Sequence, residues 1–422
     1  MRSIVRLIAL VLPCVSASAG AVSLDWLTQY KQPNIHFGQL AIHPFYQLTE
    51  VYDSNIYLVP RDQPNGAIVG GGVKSSWITK NELALETVLP IRQLHNISAG
   101  YGVEFQNYTT DPKANDAINQ RAHLDYVYTG AYGLTFSAGD RYENTTDQAF
   151  SQLVERNRRW YNEVYAALDY NPSKGRVAAG VDASHTVHKY LGPAIGRLLN
   201  RYTQRAGFNV GYKVQPQTKL YVSYHRAVTH YTVFRELPDQ DKNNKSHDFG
   251  FGVSGVLAPK ITGQVEGGMT YREYDEPPIG GATRVTRNFT VSSKVVYKPS
   301  QRTEVILALS RGLQESISAS NRFYISNNAT LDVKHKFPRK LSAGVNAAFG
   351  VDKYPDTQFI GSTAARENRR DDLYQGGVWT TYDIQAWLST GLSYIYRERN
   401  STFTSQFNYQ DHQTSWHLAL KF

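Results

Sequence analysis

From Thr414 to the terminal Phe422 the chain alternates without interruption. Thr414, Trp416, Leu418, Leu420 and Phe422 share one parity, and Ser415, His417, Ala419 and Lys421 share the other. Period-two alternation with one apolar face and one small or polar face is a strand lying between two different solvents. A chain that ends on such a strand, with an aromatic last residue, has the form of a closed membrane barrel: the last strand pairs with the first, so no sheet edge is left open in lipid. Trp416, Leu418, Leu420 and Phe422 are therefore expected at the closure.

The pattern recurs upstream. Leu40 to Tyr52 places Leu40, Ile42, Tyr46 and Leu48 on one parity, with Pro44 tolerable at an edge or bulge. Asn96 to Tyr108 sets Ile97, Ala99, Tyr101, Val103 and Phe105 outward against Ser98, Gly100, Gly102, Glu104 and Gln106, and the small inward residues leave space inside. Val177, Ala179, Val181 and Ala183 oppose Arg176, Gly180, Asp182 and Ser184 in the same way. Phe249, Phe251 and Val253 oppose Asp248, Gly250 and Gly252, while Val265, Met269 and Tyr271 oppose Gln264, Glu266, Thr270 and Arg272. Ala67 to Pro90 never changes parity across Lys80-Asn81, where a turn would usually reset it, so the stretch is read as one long strand, with two strands as the alternative.

Longer connections near 109–118, 145–157, 189–200, 232–245, 274–284, 314–320, 353–369 and 399–409 alternate with tight turns such as Asn171-Pro172-Ser173-Lys174-Gly175, Gln215-Pro216-Gln217 and Ala258-Pro259-Lys260. The pattern predicts an all-β, closed antiparallel transmembrane β-barrel, up and down, of about 18 strands over residues 39–422. An even count keeps both ends of the barrel chain on one side. A barrel of this width holds a water-filled channel unless something plugs it.

Composition at first argues against a membrane protein, with 19% charged residues and a mean hydropathy of −0.45. A barrel resolves the conflict, because only every second strand residue faces lipid. The 29 tyrosines suit two interfacial girdles. A large soluble β-sandwich or β-helix is the competing explanation of the same alternation.

Arg2 and Arg6 precede an apolar run from Leu7 to Val15, followed by Ala17-Ser18-Ala19 before Gly20, which predicts a cleaved signal peptide over 1–19 and passage to the outer membrane. Residues 20–38 then form a short periplasmic segment outside the strand pattern, in which Trp26, Leu27 and Tyr30 could make one helical turn. The single cysteine, Cys14, lies within the signal, so thiol chemistry is not expected in the mature chain. Loss of Arg2 and Arg6 takes the net charge from +9 to +7. That balance suits anionic partners, acidic polysaccharide or lipopolysaccharide phosphate, rather than nucleic acid in this compartment, although ordinary surface charge explains it equally.

Tyr52-Asp53-Ser54-Asn55-Ile56-Tyr57 after the first strand, then Leu89-Pro90-Ile91-Arg92 leading through His95 to Tyr101-Gly102-Val103-Glu104-Phe105 and Tyr108, resemble the N-terminal half of a bacterial β-barrel porin family. Its members are often encoded in exopolysaccharide or capsule clusters. The resemblance is sharp over residues 40–108 and loose over the rest, and Tyr52, Asp53 and Asn55 carry it. It implies an outer-membrane pore through which a secreted polysaccharide leaves the cell. The implied partners are outer-membrane lipid and lipopolysaccharide, the barrel assembly machinery, the polymer itself and a periplasmic export partner. No catalytic residue and no cofactor come with it.

A polysaccharide conduit needs a hydrated wall that binds weakly enough for the polymer to slide, with aromatic faces for sugar rings. The inward parity holds Arg121, Arg141, Arg159, Arg176, Arg205, Arg272, Lys294, Arg322 and Arg397, interspersed with carboxylates such as Asp125, Glu163 and Asp182. These charges either pair across strands and brace the wall or form a track for a polyanion. Tyr161, Tyr165, Tyr221, Trp379 and Trp387 also fall on the polar parity, where they could stack on sugars or pack against an inward loop. His185, outward near the end of its strand, is the residue to examine for a lipid hydrolase, but no serine can be paired with it and no Gly-x-Ser-x-Gly turn exists. Asp53, Asn55 and Asp62 lack the spacing of a calcium loop, and Gly70-Gly71-Gly72 lacks the Lys-Ser/Thr of a phosphate cradle. A general diffusion porin and a surface-binding adhesion barrel are the alternatives to a polysaccharide conduit.

Overall fold

The alternating segments join into one sheet in the computed structural model, which describes residues 35–60, 72–146, 157–192, 199–232, 242–276, 284–316, 321–360, 363–403 and 407–422. The first strands are β1 (Ile35–Phe37), β2 (Leu40–Asp53), β3 (Ser76–Ile91), β4 (His95–Tyr108), β5 (Ala117–Thr129), β6 (Leu134–Thr145) and β7 (Arg159–Tyr170). There follow β8 (Val177–Tyr190), β9 (Arg201–Gln215), β10 (Thr218–Tyr231), β11 (Asn244–Ala258), β12 (Ile261–Tyr274) and β13 (Val285–Tyr297). The chain ends with β14 (Thr303–Glu315), β15 (Phe323–Lys336), β16 (Leu341–Ile360), β17 (Thr363–Asp383), β18 (Leu388–Ser401) and β19 (Tyr409–Lys421). Every neighbour in sequence is an antiparallel neighbour in space, and β19 pairs with β2 from Gln413↔Asp53 to Lys421↔Phe45. The barrel therefore closes with 18 strands, β2 to β19, and β1 is one extra strand folded back on β2.

Closure is made as the terminal alternation requires. Trp416, Leu418 and Leu420 pair with Glu50, Leu48 and Tyr46 on the outer face. The Phe422 amide donates to the Pro44 carbonyl at 3.0 Å, and its ring stacks on Trp387 with centroids 6.0 Å apart. Trp387 thus sits in the turn after β17, outside the lumen, which corrects its expected inward position; the alternation misplaced it because β17 ends at Asp383.

Directly paired residues share a face, so the pairing fixes inside and outside around the whole barrel. Trp77, Tyr101, Leu124, Phe208, Phe251 and Phe289 stand exposed on the outer side. A continuous exposed apolar belt of this kind needs hydrocarbon around it. Tyrosines mark both of its edges: Tyr170, Tyr212, Tyr297 and Tyr382 at the short-turn end, Tyr202, Tyr271 and Tyr394 toward the long-loop end.

The single strand expected over 67–90 is one strand, but it begins at Ser76; Gly72 takes φ +97° just before it, and 67–71 lie outside the described residues. The stretch 353–369, expected as a loop, belongs largely to a hairpin in which β16 runs on to Ile360 and β17 starts at Thr363. Pro355, Asp356, Gly361 and Ser362 hid it, since residues of these types read as a turn in sequence. Ile35–Phe37 adds a strand within the segment expected to have none. The predicted signal peptide and Trp26, Leu27 and Tyr30 lie outside the described residues.

Eight short turns connect the strands at one end: 92–94, 130–133, 171–176, 216–217, 259–260, 298–302, 337–340 and 384–387. Several hold left-handed non-glycine residues, Arg92 (φ 51°), Lys260 (φ 65°), Arg339 (φ 63°) and Lys340 (φ 65°) among them. Each costs roughly 1–2 kcal/mol relative to a right-handed conformation. In outer-membrane barrels the short turns face the periplasm and the long loops the outside.

Candidate functional site

The inward face of the strands lines the lumen, and its two ends differ. In the lower and middle lumen the wall is small and polar: Ser98, Ser137, Gly180, Asn209, Ser292, Thr330, Asn346 and Ser393 all point inward. Charges there are met within and across strands. His123 lies between Glu86 at 2.8 Å and Asp125 at 2.7 Å. Arg141 sits 4.0 Å from both Asp125 and Glu163, and Arg205 is 3.8 Å from Asp182, which also receives His225 at 3.1 Å. Such compensation removes a strong single-sign field from the middle of the lumen.

Aromatic rings lie flat on this wall because the residue opposite is glycine. A Cβ on Gly344 would collide with the Trp379 indole, one on Gly139 with the Tyr165 ring, and one on Gly252 with the Tyr221 ring. Each ring also carries a neighbouring cation: Lys334 lies 5.7 Å from the Trp379 centroid, Arg141 4.9 Å from Tyr165 and Lys219 5.7 Å from Tyr221. The Tyr165 hydroxyl donates to Asp125, and the Tyr221 hydroxyl donates to Glu266 at 2.6 Å. Tyr221 is buried, whereas Trp379 and Tyr165 are half-exposed and turn a ring face toward the lumen.

Toward the long-loop end the inner face becomes a buried collar of charges and rings. Asp371 and Asp411 are 0% exposed. Arg369 binds Asp371 through Nε at 3.0 Å and Nη2 at 2.5 Å, and Arg397 binds Asp411 through Nε at 3.1 Å and Nη2 at 2.7 Å. Arg369 covers the Phe407 ring at 3.4 Å and Arg399 the Tyr409 ring at 5.0 Å. Across the lumen Arg272 meets Glu315 at 2.8 Å, and the Tyr231 hydroxyl donates to the same carboxylate at 2.7 Å.

The collar explains the Tyr-Asp-Ser-Asn-Ile-Tyr stretch. Tyr52 faces outward against Trp77, with centroids 5.3 Å apart, and Asp53 faces inward. The chain beyond Asp53 bends into the lumen, where Ile56 packs with Val51, Ile78 and Tyr108. Asn55 holds the bend: its Nδ2 donates to Val59 O at 2.9 Å and Gln410 O at 3.1 Å, and its Oδ1 accepts from Val59 N at 3.1 Å. The Asp53 carboxylate accepts from Asn55 N at 2.9 Å and Gln413 Nε2 at 2.6 Å, and Ser54 Oγ donates to Asp411 at 3.2 Å. The motif is a clamp fixing the first loop to the closing strand.

Of the expected lumen residues, Arg121, Arg141, Arg159, Tyr161, Tyr165, Arg205, Tyr221, Arg272, Lys294 and Arg397 do share the inward face. Arg322, just before β15, caps the Tyr274 ring at 5.1 Å and donates to Glu276 O at 2.6 Å. Arg176 is the exception. It sits in the turn before β8 and donates to the outward Tyr212 hydroxyl at 2.7 Å, so it lies on the lipid-headgroup side and not in the lumen. Its parity was misleading because the strand begins one residue later. Outward His185 rests 5.8 Å from Tyr202 with no hydrogen-bonded serine among the described residues, as a girdle residue does. The collar itself was missed, and its signal was present: Arg369, Asp371, Arg397, Arg399 and Asp411 crowd the ends of three consecutive strands.

Lys242, in the loop before β11, is buried and donates to Ser316 O at 2.7 Å. Burial pulls its pKa from 10.5 down to about 8. The native state thus holds this proton less tightly than the unfolded chain does. Stability from this group is lowest below pH about 8 and rises as pH climbs toward 10.5. Melting of the folded barrel, followed by its heat-shifted mobility on a gel, is expected to rise between pH 7 and pH 10 in the parent more than in Lys242→Met.

Residues 30–422 match the family described as "Putative beta-barrel porin 2". No curated protein matches the chain. Among solved structures it is similar to the outer membrane protein OpdK from Pseudomonas aeruginosa, at 10% identity and a TM-score of 0.45, covering 90% of this chain and 98% of that one. It is also similar to the outer membrane channel DcaP of Acinetobacter baumannii, at 11% identity and a TM-score of 0.44, covering 91% and 97%. OccAB4 of Acinetobacter baumannii shows 12% identity and a TM-score of 0.43, covering 90% and 98%. Likeness at this level says nothing of cargo. The closed 18-stranded barrel and a match over nearly its whole length place the chain in this family of outer-membrane β-barrel porins.

Proposed function

We propose that the barrel is a passive conduit through which a secreted polysaccharide, an exopolysaccharide or capsule chain, leaves the cell, with the driving energy and the periplasmic feeding partner supplied elsewhere. The observation that carries this reading is the inner wall: hydroxyls, amides and glycines, charges compensated across strands, and the Trp379 and Tyr165 rings laid flat over Gly344 and Gly139. Such a wall offers many weak, sequence-tolerant contacts to a pyranose chain and no deep well to arrest it. Stacking on a flat ring adds about 0.5–1.5 kcal/mol per contact, enough to guide a sugar and too little to hold it.

The test is single-channel conductance of the refolded protein in a planar bilayer, with oligosaccharides added. Transient partial block by oligosaccharides is expected, and Trp379→Ala should shorten each block roughly threefold to tenfold, the loss of one stacking contact. Steady small-ion current indifferent to every sugar would overturn the conduit in favour of a general diffusion porin. A sealed lumen together with saturable ligand binding at the loops would favour a surface-binding barrel.

A further inference from the structure

The short-turn rim carries one sign of charge. Of its eight turns, five contain Lys or Arg, and none contains Asp or Glu. Lys174 and Arg176 share one turn, Lys298 and Arg302 another, Arg339 and Lys340 a third, and all six are exposed. Carboxylates near this end, such as Glu304 and Asp383, belong to the strands, and Glu304 pairs with Lys298 of the rim at 2.8 Å, leaving the other rim cations to set its sign. Four of these cations, Arg92, Lys260, Arg339 and Lys340, occupy left-handed turn positions, as the uncharged Gln93 and Tyr132 of the same rim also do.

Positive charge also continues inward from the rim. Lys219 and Lys334 face the lumen near this end, beside Tyr221 and Trp379; Glu304 stands opposite Lys334 across the strands and Asp169 acts on Lys219, but among the described residues neither ammonium is closed into an ion pair. We propose that this end is a collecting funnel for an acidic polymer, a uronate- or other carboxylate-bearing polysaccharide that enters from the short-turn side. The inference rests on the conduit reading and adds its substrate class and direction. The cationic rim raises the local concentration of a polyanion at the lumen opening. Inside, a sugar face meets the indole while its carboxylate meets the ammonium beside it. Anionic headgroups of the surrounding leaflet could reach Arg176, which lies on the outer side against Tyr212, but not the inward Lys219 or Lys334. Two of the rim lysines also tie turns together, Lys260 to Pro299 O at 2.7 Å and Lys340 to Ile384 O at 3.2 Å. Those contacts use a single hydrogen each and leave the charge exposed.

The test adds oligogalacturonates, or malto-oligosaccharides of equal length, to one side at a time of oriented single channels in phosphatidylcholine bilayers. Oligogalacturonate on the short-turn side is expected to block at a concentration at least about tenfold lower than the neutral sugar or than the same acid added to the long-loop side, the scale of electrostatic collection, and to weaken steeply with salt. Arg302→Glu with Arg339→Glu, both in exposed turns, should abolish the sidedness, and Lys334→Gln should shorten the acid's blocks more than the neutral sugar's. Equal block by acidic and neutral sugars, or sidedness that survives charge reversal, would overturn the proposal and leave the conduit standing. Sidedness that appears only when anionic phospholipid is added would assign the rim to headgroups and overturn it too. Indifference to all sugars would overturn the conduit reading along with it.

Discussion

Asp411→Ala is expected to destabilise the folded barrel by about 3–5 kcal/mol, the cost of leaving a buried guanidinium without its partner. The carboxylate is 0% exposed and accepts from Arg397 Nε at 3.1 Å, Arg397 Nη2 at 2.7 Å and Ser54 Oγ at 3.2 Å. Removing it takes from the buried Arg397 the carboxylate that two of its nitrogens grip and frees Ser54 of the first loop from the closing strand. Replacing both members, Arg397→Met with Asp411→Leu, should recover most of the loss, since an apolar pair of similar volume avoids the desolvation cost. Urea unfolding in lipid vesicles measures both. A single variant costing under 1 kcal/mol, the range of a solvated surface pair, would show that the collar is wet.

The second large effect is expected at Asn55, also 0% exposed. Asn55→Ala leaves Val59 N–H, Val59 C=O and Gln410 C=O without the partners they have at 3.1, 2.9 and 3.1 Å. An unsatisfied buried group costs about 1–3 kcal/mol, so a loss of about 3 kcal/mol or more is expected. Amide exchange at Ile56, Leu58 and Val59 should accelerate far more than exchange in β11 or β12. Asn55→Asp is expected to be no better, since it removes both donated hydrogen bonds and adds a carboxylate beside Asp53 and Asp411. Uniform exchange across the barrel would mean that the loop is not held by this side chain.

These two sites also show how the chain could and could not be read in advance. Asp411 and Asn55 lie more than three hundred residues apart in sequence and meet only because β19 closes on β2. The Tyr-Asp-Ser-Asn-Ile-Tyr stretch stood out as a motif, but nothing local says that its asparagine spans to Gln410 O. Arg176 and Trp387 were placed by parity at strand ends, where one residue of slip reverses the face. Interior strands gave no such difficulty, since a register error there would bury charges in lipid.

Alternation, together with an even count, determined the barrel: about 18 strands, the face of Phe251 and Gly252, most of the long and short connections and the closing role of Phe422. It could do so because lipid on one side and water on the other impose a period of two on every strand. The tertiary structure alone decided which inward charges meet, that rings lie flat where glycine stands opposite, that a buried collar lines one end, and that the cationic turns gather at the other. Those features depend on register between strands and on chain reversal at the turns, and the identity of a residue's cross-strand neighbour is not written in the residues beside it.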